Sequence, residues 1–217
     1  GAFSPAFGQA AQRGAADGSC ESLASVSLPH TKIDSAQTVS GGKFAAPASG
    51  GRDAQEITNL PAFCRVQMTS KPSNDSNIKI EVWLPVSGWN NKFLVGNLGA
   101  GLPAGLRYRP LADALMKGYA TGGVNTHKSM ADMSDHPDVV VDWAYRGAHE
   151  LAVTSKALMN AFYRTGPKLT ILDECGGGSI PALNEAARYP EDYDALAVGG
   201  YVADRTHQVF GQIWPWV

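Results

Sequence analysis

The sequence lacks both the long apolar run and the excess of charge of one sign that mark membrane-spanning and nucleic-acid-binding proteins. No stretch approaches the roughly 20 apolar residues that a helix needs to cross a bilayer, and the formal charge is only −2. Internal repeats and low-complexity segments are also missing. We therefore expect no nucleic acid and no membrane among the partners of this chain. The 217 residues, 44% of them hydrophobic, predict a globular protein with a sizeable core.

Cysteine is scarce, since the chain contains only Cys20, Cys64 and Cys175. An odd number leaves at least one cysteine without a partner if any pair forms. The two alternatives are a Cys20–Cys64 disulfide in an exported protein and three buried thiols in a cytosolic protein. We predict the disulfide, and with it a secreted or periplasmic location. The small and polar start, residues 1–14, is what we expect after removal of a secretory signal, although it holds no apolar signal core.

Glycine-, serine- and proline-rich segments divide the first half of the chain. Residues 1–18 are predicted to be a loose terminus, and residues 40–51 (SGGKFAAPASGG) a loop. Apolar and polar residues alternate over 64–69 and again over 78–84, as they do in half-buried strands. A turn cluster at 71–77 separates the two runs. This pattern predicts a β-hairpin.

Strands and helices alternate through the second half. Short apolar runs predict strands there, and apolar residues spaced three and four apart predict helices. The predicted strands are 92–95, 119–124, 169–172 and 195–198, and the predicted helices are 111–117, 144–162 and 182–188. Gly166 and Pro167 are expected to end the long helix. The alternation is typical of an α/β protein with a mostly parallel sheet and flanking helices.

One segment of the second half has the form of a catalytic turn. Residues 173–182 (DECGGGSIPA) follow a predicted strand and precede a predicted helix. Hydrolases of the α/β class hold their nucleophile at a strand–turn–helix junction of this kind. The side chains in this segment with a nucleophilic atom for ester attack are Cys175 and Ser179.

Several short motifs resemble those of the tannase and feruloyl esterase family. They are GWNNKFL at 88–94, KGYAT at 117–121, DWAYR at 142–146 and EAARYPEDYD at 185–194. The members of this family are secreted α/β-hydrolases that cleave esters of aromatic acids, and an enzyme that hydrolyses a terephthalate monoester belongs with them. The resemblance covers roughly residues 20–217.

The resemblance implies an α/β-hydrolase-like fold, with a mostly parallel sheet and flanking helices, that corresponds to the N-terminal half of the family. The C-terminal strands and the lid of the family are then absent from it. Three parts are expected within a partial domain at 19–217: a β-rich segment at about 19–90, a βα core at about 91–200 and the start of the lid region at about 201–217. Such a sheet ends in an unpaired edge, and we expect the isolated chain to associate or to be poorly soluble.

When the family's elbow motif, Gly-Cys-Ser-x-Gly-Gly-Arg, is aligned with this chain, the chain departs from the motif at the position of the nucleophile. Cys175 matches the family's cysteine and Gly178 matches its second glycine. Its nucleophilic serine falls on Gly176, its first glycine falls on Glu174 and its third falls on Ser179. Glycine has no side chain and cannot attack an ester. Gly176 is therefore the catalytic position by resemblance, without the catalytic group.

Ser179 is a poor substitute nucleophile. An elbow centred on it has Gly177 two residues before, as required, but Pro181 two residues after, where a small residue is needed. We interpret Ser179 as the N-cap of the following helix, whose first turn tolerates Pro181. A displaced nucleophile and an ordinary turn residue are the alternatives.

Cys175 is expected to be a free or partner-linked thiol. In the family the matching cysteine forms a disulfide with a cysteine near the catalytic histidine, and no such partner follows here. An intermolecular bond is one alternative, and a catalytic thiol is another.

An oxyanion hole needs two backbone N–H donors, one after the nucleophile and one from an earlier glycine loop. Gly177 and the Leu98–Gly99 segment hold these places. The family has Asn-Gly-Gly where this chain has Asn97, Leu98 and Gly99, so the Leu98 side chain would crowd the acyl group. A plain turn-forming loop is the alternative.

The acid and the base of a catalytic triad have no clear candidates after the elbow. His207 is the only histidine there, and it lies where the family's lid begins; Asp204 is too near in sequence to suggest an orienting acid. We expect His127 to be structural and His149 to pack or to form a hydrogen bond. The sequence around His136 shows no metal-ligand spacing. No metal and no cofactor are expected, since the family's calcium site lies in the lid.

The chain therefore resembles a carboxylic ester hydrolase acting on feruloyl- or galloyl-type esters, but one that is predicted to be inactive as given. Its partner would be a small aromatic ester or a phenolic acid. A non-catalytic module that binds an aromatic ligand or a protein is an alternative. A half-enzyme completed by a second chain is another.

Overall fold

The computed structural model describes residues 18–49, 51–96, 98, 105–126, 130–201 and 204–214. The predictions made for residues 1–17, Gly99 and His127 lie outside this part of the chain. The strands are β1 Thr31–Val39, β2 Gly42–Ala46, β3 Gln55–Leu60, β4 Phe63–Ser70, β5 Ile78–Pro85, β6 Lys92–Val95, β7 Ala120–Asn125, β8 Leu169–Cys175 and β9 Ala195–Gly199. The helices are α1 Tyr108–Met116, α2 Met130–Asp135, α3 Pro137–Val141, α4 Gly147–Tyr163, α5 Ser179–Arg188 and α6 Arg205–Ile213.

Seven of these strands form one mixed sheet in the order β1-β4-β5-β7-β6-β8-β9. The pairings from β1 to β7 are antiparallel, whereas β7, β6, β8 and β9 run parallel to one another. Helices join the parallel strands, as parallel connections require. The predicted α/β-hydrolase-like class, a mostly parallel sheet with flanking helices in the βα region, is confirmed.

The predicted hairpin is β4 and β5, which pair antiparallel with Val66 opposite Val82. The first strand of the sheet, β1, pairs with β4 on its other side. The predicted disulfide is also confirmed, because Cys20 and Cys64 are bonded. Since Cys20 begins a short 3₁₀ turn at Glu21–Ser25, the bond fastens this turn to β4. The alternative of three buried thiols was wrong.

The prediction of a loop over residues 40–51 was wrong, because β2 lies inside it. Among the described residues this strand pairs with β3 alone, in a separate two-stranded sheet. One face of that small sheet buries Phe44, Ile57 and Leu60 in a second hydrophobic cluster. Tertiary burial of these apolar side chains outweighs the glycine-rich flanks that favour a loop.

An ion pair lies at the base of this second cluster. Arg65 on β4 donates two hydrogen bonds, at 2.6 and 2.9 Å, to the buried carboxylate of Glu81 on β5. The indole of Trp83 donates to the same carboxylate at 2.7 Å, and the Tyr108 hydroxyl does so at 3.4 Å. The second cluster is thereby joined to the main sheet through a shared charge.

The main core lies between the sheet and α4. The apolar stripe predicted on this helix is confirmed, since Ala148, Leu151, Leu158 and Phe162 are all buried there. Two helix boundaries differ from the prediction. A π-helical turn at Asp142–Arg146 precedes α4, and the helix ends at Tyr163 because Arg164 adopts a left-handed conformation (φ 59°) before Gly166 is reached.

Strand β9 lies at the edge of the sheet, and within the described ranges only β8 pairs with it. Ala195, Ala197 and Gly199 are exposed on one of its faces. Among the helices that the structure describes, none combines the length and the apolar character that crossing a membrane demands.

Candidate active site

The turn after β8 has the backbone of a nucleophile elbow. Strand β8 continues through Cys175, a 3₁₀ turn follows at Gly176–Gly178, and α5 begins at Ser179. Gly176 has a φ of +65°, in the left-handed region that side chains rarely adopt, and a Cβ placed on it would meet no atom within 4 Å. The tip of the turn is therefore open, and it presents an α-carbon with no hydroxyl.

The prediction that Ser179 caps α5 was wrong. Gly178 holds the N-cap position, and Ser179 is the first helical residue. Its side chain is buried, and its Oγ donates a hydrogen bond at 2.6 Å to the carbonyl of Gly199 at the end of β9. The hydroxyl thus ties α5 to the edge strand. Pro181 does lie in the first turn of the helix, as expected.

Cys175 carries a free and exposed thiol. Its sulfur lies close to the backbone at the end of β9. A Cβ added to Gly199 would lie 3.5 Å from this sulfur, and one added to Gly200 would lie 3.6 Å from it. No hydrogen bond joins an imidazole to this thiol or to the Ser179 hydroxyl within the described part of the chain.

Glu174 is a feature of the site that the sequence analysis did not assign. Its side chain points inward from β8 and is only 2% exposed. Oε1 accepts a hydrogen bond from the backbone N–H of Leu98 at 2.6 Å, and the guanidinium of Arg107 lies 3.9 Å from Oε2. A Cβ on Gly178 would overlap Oε2 of Glu174, so a larger residue there requires this carboxylate to move.

The environment of Glu174 makes it titrate near neutrality. Burial raises the pKa of this carboxyl to about 7, against the lowering effects of the Leu98 N–H and of Arg107. The carboxyl is thus an acid that exchanges its proton near pH 7 beside the elbow.

One donor of the predicted oxyanion loop is therefore already engaged. The Leu98 N–H, one of the two expected donors, points at Glu174 instead of at open space. The Leu98 side chain is buried in the main core, so it is not positioned to crowd an acyl group as expected. Gly177 lies exposed in the 3₁₀ turn, while Gly99 falls outside the described residues.

A cleft of about 320 Å³ opens beside the elbow, between α1 and the carboxyl ends of β6 and β8. Leu94 and Pro110 give it an apolar wall, and charged side chains of both signs surround the rest. The charged lining residues are Arg107, Asp113, Lys117, Asp173 and Glu174. Both Glu174 and Cys175 line this cleft.

Comparison with known proteins decides the family. The sequence model described as "Tannase and feruloyl esterase" matches residues 64–213. The chain belongs to the tannase and feruloyl esterase family. An esterase of Xanthomonas campestris, itself uncharacterized, is 34% identical over 215 residues, which cover 96% of this chain and 36% of that protein. A protein of Aspergillus oryzae named "Probable feruloyl esterase B-2" is 30% identical over 190 residues, covering 84% of this chain and 35% of the relative.

Solved structures of the tannase and feruloyl esterase family share the fold. Feruloyl esterase B from Aspergillus oryzae superposes with a TM-score of 0.71 at 29% identity, over 82% of this chain and 35% of that one. Tannin acyl hydrolase from Aspergillus niger gives a TM-score of 0.58 at 18% identity, over 81% and 34% of the two chains. The chain thus spans about a third of the length of these relatives.

Three of the histidines that the structure describes contact carboxylates. His207 on α6 is 84% exposed and contacts the carboxylate of Asp204, the N-cap of the same helix. Sequence proximity was therefore a wrong reason to dismiss Asp204 as its partner, because a residue three positions before a helical histidine is within its reach. His136 lies 3.7 Å from Asp75. His149 forms the expected hydrogen bond, at 2.6 Å to Asp192.

Proposed function

We propose that this chain carries the elbow and the oxyanion loop of a carboxylic ester hydrolase for esters of aromatic acids, and that it does not complete the hydrolysis by itself. Membership of the tannase and feruloyl esterase family supports the ester class, and relatives are named feruloyl esterases. The observation that supports the predicted lack of hydrolysis is the exposed Gly176 at the tip of the elbow.

The elbow of this fold exists to present a nucleophile. A serine there attacks the ester carbonyl, forms an acyl-enzyme and passes its proton to a histidine. Gly176 keeps the left-handed backbone (φ +65°) and the open space around it, but offers no oxygen. Loss of the nucleophile typically costs several orders of magnitude in kcat.

The neighbouring groups do not compensate for this loss. Ser179 is buried and uses its proton on the Gly199 carbonyl. Cys175 is exposed but has no imidazole to activate its thiol within the described residues, and a thiolate is needed for attack. The Leu98 N–H, which would stabilise an oxyanion, is bonded to Glu174.

An ester assay tests this proposal directly. Purified chain should release no ferulate from methyl ferulate and no nitrophenol from p-nitrophenyl acetate above the buffer rate. A fluorophosphonate probe, which labels activated serines, should leave Ser179 unmodified in a peptide map. Turnover that disappears in Ser179→Ala would identify a displaced serine nucleophile, and turnover that disappears in Cys175→Ala would identify a catalytic thiol. Either result would overturn the proposal.

The cleft beside the elbow supports a second function, namely binding of a phenolic acid without turnover. Its apolar wall of Leu94 and Pro110 suits an aromatic ring, and its volume of about 320 Å³ suits a small ligand. Titration with ferulic and gallic acids, followed by tryptophan fluorescence, should show saturation. The Leu94→Lys variant, which places a charge on the apolar wall, should abolish it. A linear response in both proteins would contradict binding.

We further infer that the chain works outside the cytosol, in a secreted or periplasmic setting. The Cys20–Cys64 disulfide supports this location, since such bonds persist in oxidising compartments. Thiol titration of protein recovered from the culture medium, with and without reductant, tests it: one reactive thiol before reduction and three after are expected. Three thiols without reductant would contradict it.

A further inference from the structure

A cluster of three potential metal ligands lies on the structure apart from the elbow turn. His149 comes from α4, Glu185 comes from α5, and Asp192 follows the end of α5. One donor atom of each lies within 4.8 Å of the others. Glu185 is completely buried and Asp192 is 5% exposed. The backbone elements that carry them are packed together, so the three groups are held in place before any ligand arrives.

Glu185 is the unexplained member of this cluster. Neither of its carboxylate oxygens has a hydrogen-bond partner within the described residues, although both are buried. Its Oε1 lies 4.0 Å from Nδ1 of His149, so the group faces the interior of the cluster. A buried carboxyl group without a donor from elsewhere is costly as an anion and stays neutral unless a cation joins it, and native structures retain few such groups.

The cluster is also short of positive charge. His149 lies 2.6 Å from Asp192 and the ammonium of Lys156 lies 3.9 Å from the same residue. Both cationic neighbours therefore lie closest to Asp192, and the carboxyl group of Glu185 faces the carboxylate of Asp192. Burial, a proton shared with Asp192 and the charge of that carboxylate raise the pKa of Glu185 to about 9, which reflects the same deficit. Two buried carboxyl groups whose oxygens lie within 4.8 Å of each other need a shared cation or a shared proton.

We propose that His149, Glu185 and Asp192 form a binding site for a divalent transition-metal ion, with Zn²⁺ as the ion that fits best. One imidazole nitrogen with two carboxylates is a ligand set for zinc, whereas Mg²⁺ and Ca²⁺ take oxygen ligands. Three protein ligands leave the fourth position to water, and the 27% exposure of the His149 side chain gives the ion a way in.

The geometry around His149 suits this role. Its ring stacks on Tyr189, with the centroids 3.8 Å apart, so the ring plane is fixed. Nδ1 faces both carboxylates, and an ion at Nδ1 takes the place of the proton in the contact with Asp192. Bound there, the metal would fasten α4 to α5 and to the segment that leads into β9. This site is independent of the ester chemistry proposed above.

Zinc titration of the chelator-treated 217-residue chain tests the proposal. Isothermal calorimetry should give one Zn²⁺ per chain, and Co²⁺ in its place should produce visible ligand-field absorption bands. The experiment uses a Cys175→Ser background, because an exposed thiol binds zinc by itself. The melting temperature should rise with the zinc concentration by mass action.

Two matched variants decide between a built site and surface binding. Glu185→Gln removes a ligand but keeps the shape of the side chain. Because the amide carries no charge, we expect the variant to fold. It should weaken zinc binding by more than roughly 100-fold, because even an outer-sphere partner is worth about 10- to 100-fold in metal affinity. Glu191→Gln, an exposed carboxylate next to Asp192, should change nothing.

Three results would overturn the proposal. One is the absence of stoichiometric binding by the parent chain. The second is unchanged affinity and an unchanged Co²⁺ spectrum in Glu185→Gln. The third is equal loss in Glu191→Gln. Circular dichroism of each variant shows that it is folded, so a loss of binding reports on the site and not on unfolding.

Discussion

The carboxylate of Glu174 accepts a 2.6 Å hydrogen bond from the backbone N–H of Leu98. This contact joins the end of β8 to the loop after β6. On our proposal, the turn after β8 differs from a working elbow in two respects: Gly176 offers no nucleophile, and the Leu98 N–H is already engaged. Both differences come from single residues, so both can be examined by substitution.

Glu174 should make stability fall as pH rises through the slightly acidic range. Its pKa is 4.5 in the unfolded reference and about 7 in the folded protein, so the folded state binds more protons between these values. The contribution of Glu174 to stability is then greatest below pH 4.5 and declines up to about pH 7, by at most roughly 3.5 kcal/mol at about 1.4 kcal/mol per pKa unit. Urea unfolding at pH 5 and pH 8 measures it. Glu174→Gln should make the decline smaller, while the part due to Glu185, whose pKa is raised to about 9, should remain. An identical slope in this variant would contradict the assignment.

Gly178→Ala should destabilise the chain through one contact. The backbone of Gly178 has a φ of −69°, which suits any residue, but a Cβ there collides with the Glu174 carboxylate. We expect a loss of about 1–3 kcal/mol, as for other overpacked sites. In a Glu174→Gly background the same change should cost nothing. The control is Gly211→Ala in α6, where a Cβ meets no atom within 4 Å and helix propensity favours alanine. Equal effects of Gly178→Ala in both backgrounds would refute the collision.

Ser179→Ala should affect stability and not catalysis. The substitution removes the 2.6 Å hydrogen bond to the Gly199 carbonyl, and a net loss of about 1 kcal/mol is expected. Ser155→Ala is the matched control, because the buried Ser155 hydroxyl has no partner within the described residues and its removal should be neutral or favourable. Chemical denaturation of the two variants compares them. Equal free energies of unfolding for Ser179→Ala and Ser155→Ala would show that the Ser179 hydrogen bond does not stabilise the fold.

The disulfide should be the largest single covalent contribution to stability. It closes a sequence separation of 44 residues, and bonds of this kind typically stabilise by about 2–4 kcal/mol. The Cys20→Ala/Cys64→Ala double variant should lose that amount in guanidinium unfolding, and reduction of the parent chain should reproduce the loss. Cys175→Ala, at the exposed thiol, should leave the midpoint unchanged. A double variant as stable as its parent would contradict this role.

Local pattern predicted the elements that are buried on regular faces. The alternation in β4 and β5 and the stripe on α4 identified those elements because burial repeats with the period of the backbone. Strand β2 escaped prediction, since within the described residues it pairs with β3 alone and its sequence, Gly-Lys-Phe-Ala-Ala, contains a single large apolar side chain. Such a strand is specified by what packs on it and not by its own sequence.

The site shows the same division. The turn after β8 was predictable from its glycines, whereas the partners of its side chains were not, because they come from distant segments. Glu174 left a signal that the sequence analysis did not use: it lies two residues after the buried Leu172, on the same inward face of the strand. The cluster of His149, Glu185 and Asp192 left none, since the spacing of its ligands matches no metal motif.

The ion pair between Arg65 and Glu81 constrains how this sequence can drift. Glu81 is 1% exposed and accepts hydrogen bonds from four side chains, those of Arg65, Gln67, Trp83 and Tyr108. Replacing the arginine alone would therefore leave a buried charge without its cation. Removing both partners together is far milder than removing one. Relatives of this chain should therefore keep both residues or lose both. In an alignment of such relatives, the positions of Arg65 and Glu81 should covary.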